Sequence, residues 1–377
     1  MFIPTTPSSS RNKVAYNILL VFVVAWMATY PIYQNFYRGE AVEQYQRFLD
    51  WKAGNSMFYN PWQYRILCYE IVEGTYQVLD HTVFNFIHFR EPQLNLPGNT
   101  SDKNEVTQKL LALAQQPEFI KYAIVFLGFR FLQNALIFGL AFVYFSHFVK
   151  TRAVVLLSVM FIPVMMGNAV VDSDLSFNTY MDITLYLLTA LVIVKGYNDW
   201  WIVPITILGA LNRETSMLIP AIYFCSKVDW SAWPNFKKLF FTDLKPLMIA
   251  AISMIFFVAI FVAIRAHFGY RPQTDWRVPA GLPMLKMNLL SGVSVKTYME
   301  MYGVFGFLPI WCLFLFKEMN PYLKIFFIVI VPVWFGVHLI SVVAYQSRLY
   351  LVPTLLIFLP AVLQHIENQI QARQRLA

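Results

Sequence analysis

Residues 14–33, VAYNILLVFVVAWMATYPIY, run almost directly into residues 37–67, YRGEAVEQYQRFLDWKAGNSMFYNPWQYRIL. The first segment has the length and apolar character of a helix that crosses a bilayer. The second carries too many charges for hydrocarbon and too many aromatic rings for open water. That mixture belongs at a membrane surface, where one face is buried and the other stays wet. Val42, Tyr45 and Leu49 recur at helical spacing, and residues 62–89 repeat the half-apolar pattern. Two or three interfacial helices are expected here, leaving the bilayer at the acidic pair Glu40 and Glu43.

Outward from this junction the chain stays apolar. Of its 377 residues 58% are hydrophobic and only 13% charged, against about 45–50% and about 25% in soluble domains. Apolar runs of near-spanning length recur at residues 120–148, 153–171, 183–194, 247–267, 304–316, 325–343 and 351–366. Residues 200–211 and 216–225 form two shorter runs around the polar knot Asn212, Arg213, Glu214 and Thr215. Each is short for a crossing at about 1.5 Å per residue. Two short helices meeting at a polar tip fit best, with one long span around a buried Arg–Glu pair as the competing reading. The expected fold class is therefore all-α: a polytopic integral membrane protein of roughly ten transmembrane helices with a large first extracytoplasmic loop. In one membrane domain, 1–377, the first helix is 14–33, the loop 35–119, the bundle 120–366 and the cytoplasmic tail 367–377. Residues 91–118 and 269–299, with their prolines and glycines, read as loops.

Charge sets the orientation. Arg11 and Lys13 precede the first span, and Lys150, Arg152, Lys195, Lys227, Lys237, Lys238, Lys245, Lys317 and Lys324 flank later ones. The positive-inside rule then places both termini in the cytoplasm. The loop 35–119 holds seven basic residues against ten acidic ones, as suits an outside segment. The first apolar run lacks a convincing cleavage site and is expected to be an anchor. The net charge of +8 is scattered between apolar runs, so nucleic acid is not an expected partner. Cys68, Cys225 and Cys312 are far apart and the six histidines isolated, which gives no metal centre. No glycine-rich phosphate loop is present. The Asn99, Thr100, Ser101 triplet matches a glycosylation acceptor but is too common to weigh.

Alternating the spans brings Glu40, Tyr64, Arg65, Asp172, Asp174, Arg213, Glu214 and Arg348 to one rim, the outer one. Ionisable residues at membrane depth are costly and mark functional sites by default. Glu40 can act as a general base; the plainer reading of Glu40 and Glu43 is acids favoured by a helix dipole. Arg65 can pair with a phosphate or with Glu40, or simply anchor the interface with Trp62 and Tyr64. Asp172 and Asp174 can work as acid or base, hold a divalent cation, or decorate a solvated loop. Arg213 and Arg348 can hold a phosphate bidentately or close internal ion pairs. Arg265, near the outer end of its span, is able to join them.

The order of these features resembles the GT-C glycosyltransferases, membrane enzymes that use lipid-phosphate sugar donors, such as protein O-mannosyltransferases and lipid A aminoarabinose transferases. Gly39-Glu40-Ala41-Val42-Glu43-Gln44-Tyr45 stands where that family opens its first outer loop with an acid. Asp172 and Asp174 stand at its second acidic site. Arg213, after Leu208-Gly209-Ala210-Leu211-Asn212, matches a basic residue between short spans. Ser347-Arg348-Leu349-Tyr350-Leu351-Val352-Pro353 matches a late Arg-aromatic motif. Two departures stand out: Glu40 where the family has an Asp, and no C-terminal soluble domain. The resemblance implies transfer of a sugar from a polyprenyl-phosphate donor to an envelope glycan, lipid or protein acceptor, outside a bacterial inner membrane. Glu40, Asp172 and Asp174 would be catalytic. Glu43, Tyr64, Arg65, Arg213, Glu214 and Arg348 would bind substrate, with no cofactor beyond an optional divalent cation. The alternatives are a transporter or flippase for a lipid-linked glycan, or an envelope polysaccharide polymerase or ligase.

Overall fold

The computed structural model describes residues 10–55, 60–87, 105–170, 175, 177–230, 243–270 and 278–376, which form helices and connecting turns with no β-strand. The all-α membrane architecture expected from composition is what is found. Among the described residues, seven helices are long and apolar enough to cross a membrane, or eight if one bent pair counts as a span.

The helix α1 (Ser10–Asn35) leads through a wide turn into α2 (Ala41–Lys52). The kink sits at Gly39, whose φ of 156° breaks the helical path just before Glu40. The helix α3 (Leu67–His81) follows, pinned to the long span α5 (Pro117–Phe148) by an ion pair of 2.6 Å between Asp80 and Lys121. The Lys121 hydrogen bond holds the Asp80 carboxyl below the usual carboxylate range. Helices thus stand in both stretches where the sequence has helical spacing. Part of the expected loop 91–118 is instead helical, as α4 (Glu105–Leu113).

The spans α6 (Arg152–Val170) and α7 (Phe177–Lys195) come next. The latter is buried nearly all round, so it forms the centre of the bundle. Arg130 of α5 braces its entry, donating to the carbonyl of Leu175 and stacking over Tyr180 at 4.7 Å.

The short helices α8 (Ile202–Asn212) and α9 (Leu218–Lys227) form a hairpin. Asp199, just before α8, pairs at 2.9 Å with Lys227 at the end of α9 and at 3.6 Å with Lys245. Lys245 opens α10 (Leu244–Phe268), which packs along both. Tyr197, Trp200, Trp201 and Trp230 lie exposed around this base, as an interfacial belt would. Eleven residues of α8 rise about 16 Å, about half of a hydrocarbon core of roughly 30 Å. The two helices therefore run out and back side by side, with the polar tip away from the ion-paired base. The competing single long span is excluded by the ion pairs at its base.

Beyond α10 the expected loop 269–299 contains helices α11 (Leu282–Leu290) and α12 (Gly292–Phe305). The latter, with α13 (Leu308–Leu315) and the turn after it, makes the bent pair, broken by 70°. Two spans close the bundle: α14 (Pro321–Ser341) and α15, helical over Ser347–Leu376. The expected tail 367–377 thus largely continues the last helix. The estimate of ten spans differs because it counted α8 and α9 as separate crossings.

Candidate active site

The charged residues gather where α1 ends, α7 begins, α8 turns into α9, α10 ends and α15 starts. The centre is Asp182, on the second turn of α7 and fully buried at 0% exposure. Its carboxylate accepts from Asn212 Nδ2 at 2.7 Å and Thr215 Oγ1 at 3.0 Å, and meets Arg213 Nη1 at 3.2 Å. Arg213, 5% exposed, also donates to Thr179 Oγ1 at 3.3 Å. Tyr186 donates to the Thr215 carbonyl at 2.6 Å. The hairpin tip is thereby fastened to α7 through its own polar residues. Gly209 permits this: a Cβ there would lie 2.5 Å from Ser216 Cβ across the hairpin.

Glu214 points the other way. Its two oxygens meet Arg65 at 3.1 Å and Arg265 at 3.4 Å. The Arg265 guanidinium also lies 4.3 Å over the Tyr64 ring, and Tyr64 donates to the Gly269 carbonyl at 3.0 Å. Tyr64 thus acts as a strut that ties the interfacial segment to the end of α10.

Arg348 begins α15 and is buried; it donates to Gln346 Oε1 at 3.3 Å. Its loop is fixed from two sides. Asn288 donates to the carbonyls of Leu339 and Val342, each at 2.8 Å, and accepts from the Ala344 amide at 3.0 Å. Trp334 donates to the Leu349 carbonyl at 2.7 Å. Glu40 lies within electrostatic reach of Arg348, Arg47 and Glu43, and Arg348 within reach of Arg65. Arg47 pairs with Glu43 one turn earlier on α2. His338, buried on α14, lies within reach of Arg213 and Arg65.

The structure therefore brings Glu40, Glu43, Tyr64, Arg65, Arg213, Glu214 and Arg348 into one network. Asp172 and Asp174 lie outside the described residues, as does the 99–101 triplet. The competing Arg213–Glu214 pair is replaced by three: Arg213 with Asp182, and Glu214 with both Arg65 and Arg265. Arg65, expected opposite a phosphate or Glu40, reaches Glu214. Asp182 escapes a reading that trims spans to their apolar cores, Asn288 one that takes 269–299 for a loop, and His338 one that treats each histidine as isolated. The overlooked signal for Asp182 is an acid immediately before the run 183–194, where α7 already continues back to Phe177. Among the described residues, Arg47, Arg65, Arg213, Arg265 and Arg348 face Glu40, Glu43, Asp182 and Glu214, a net positive balance. Such a site attracts an anion and keeps one carboxylate, Glu40, beside it. No group of three metal-ligating side chains occurs among the described residues.

Neither a family model, nor a curated protein, nor a solved structure matches this chain.

Proposed function

We propose that this membrane protein is a GT-C-like glycosyltransferase that moves a sugar from a polyprenyl-phosphate donor to an envelope glycan, lipid or protein acceptor. The observation that carries the reading is Glu40 within electrostatic reach of Arg348, at a bundle end where guanidiniums outnumber carboxylates. The donor tail lies in the bilayer and its phosphate at the arginines. Glu40 takes the proton of an acceptor hydroxyl as that oxygen attacks the anomeric carbon. The new glycosidic bond forms while the bond to the phosphate oxygen breaks, with inversion. The electron pair leaves on the phosphate, whose growing charge Arg348 and Arg65 stabilise. Arg213, committed to Asp182, holds the hairpin tip and adds to the field. In this proposal the site faces the periplasm or exterior of a bacterial inner membrane. Asp172 and Asp174 are the second candidates for the base, or ligands for a divalent cation.

The test is transfer from a synthetic polyprenyl-phosphate sugar in nanodiscs, with the acceptor class taken from envelope glycolipids compared with and without the protein. Glu40→Gln is expected to cut turnover by about 10²–10⁴-fold with donor affinity nearly unchanged. Arg348→Ala is expected to weaken donor binding. Equal loss of binding and turnover in Glu40→Gln makes Glu40 structural. Movement of the lipid-linked sugar across the bilayer without transfer makes the protein a flippase.

A further inference from the structure

Next to the charge cluster lies a cleft of about 450 Å³, between the end of α2, the start of α3 and the last turn of α10. Trp51, Ile66, Ile264 and Phe268 give it apolar walls, and Glu70 and His267 add a carboxylate and an imidazole. The Trp51 and Phe268 ring centres are 6.0 Å apart. Ile66 follows Arg65 and Ile264 precedes Arg265, and both arginines hold Glu214. The cleft therefore opens directly beside the candidate active site. Glu70 and His267 are exposed, and neither side chain has a hydrogen-bond or ion-pair partner among the described residues. Their polar capacity is unspent.

We infer that this cleft binds a neutral hydroxylated ring, a glycosyl residue of the acceptor; the inference rests on the glycosyltransferase reading above. Its volume and its mixture of apolar walls with two polar groups suit a small organic ligand. An alkyl chain laid here would strip water from the Glu70 carboxylate with no hydrogen bond in return. A phosphate would be repelled by Glu70 and is better served by the adjacent arginines. A sugar ring satisfies both halves of the cleft. Its C–H face packs on Trp51, and its hydroxyls donate to Glu70 and exchange hydrogen bonds with His267. An acceptor held by this residue extends toward Arg65, one of the two arginines proposed to receive the leaving phosphate.

The experiment is saturation-transfer NMR on the full chain in nanodiscs. The probes are methyl glycosides of glucose, galactose, mannose and N-acetylglucosamine, with no donor present. At least one glycoside is expected to bind. Trp51→Ala is expected to weaken it by about tenfold, equivalent to about 1.4 kcal/mol, and Glu70→Gln to weaken it measurably. Ala263→Trp, which fills the cleft from an exposed position on α10, provides the same test should Trp51→Ala fail to fold. Absence of binding by every glycoside, or binding untouched by both cleft variants, overturns the inference. Occupation of the cleft by a spin-labelled phospholipid instead of a glycoside also overturns it. The two readings separate cleanly. Glycoside binding at the cleft without any transfer leaves the sugar site standing and removes the transferase, whereas transfer with an unoccupied cleft removes only the sugar site.

Discussion

Asp182 and Arg213 show how much a single buried residue decides. Each has left water, and each is tolerable only because the other, with Asn212, Thr179 and Thr215, replaces the lost hydration. Removing one partner strands the other. Asp182→Ala is expected to cost about 3–5 kcal/mol of stability, read as a large fall in the midpoint of thermal unfolding in detergent. A double Asp182→Leu, Arg213→Met variant should recover much of that loss while leaving transfer abolished. A double variant no more stable than Asp182→Ala would show that the pair is not the source of the cost. Glu40 is a different case: it is only partly buried and sits at a kink, so its replacement is expected to spare the fold and cost the chemistry.

Among the elements, the α8–α9 hairpin is the one on which the site depends most. It carries the two central charges to the far end of the bundle, and Gly209 is what lets its arms close. A methyl group at that position cannot fit against Ser216 without moving backbone, because the obstructing atom is a Cβ and not the end of a flexible side chain. Gly209→Ala is expected to lower stability by about 1–3 kcal/mol and to loosen the tip. Faster hydrogen exchange at 212–217, with 244–255 of α10 unchanged, would be the signature. Uniformly unchanged exchange would mean the hairpin closes without needing a glycine. Asn288 does comparable work for Arg348, since one buried amide pins the whole turn that leads into α15.

At the scale of the whole molecule, the charges divide between two ends. One end holds the Glu40–Arg348 network; the other holds Asp199 with Lys227 and Lys245, and Arg152 beside Asn17. This division makes a topological prediction. Asn55→Cys and Tyr197→Cys, both at exposed positions, are expected to react with membrane-impermeant maleimide from opposite faces, Tyr197→Cys from the cytoplasm. Labelling of both from one face would break the assignment of the ends.

Hydropathy and charge already determine that this chain is a helical membrane protein and that helical patterns follow the first span, around 42–49 and within 62–89. Those properties follow from the cost of placing charge and unpaired backbone in hydrocarbon, which acts on each segment separately. Only the tertiary structure decides that Arg213 is answered by Asp182 and Glu214 by Arg65 and Arg265. It also removes the single long span that competed with the hairpin of α8 and α9, through the Asp199–Lys227 pair at its base. Partner choice among several arginines and acids depends on which helices touch and at what depth, and no local pattern records that.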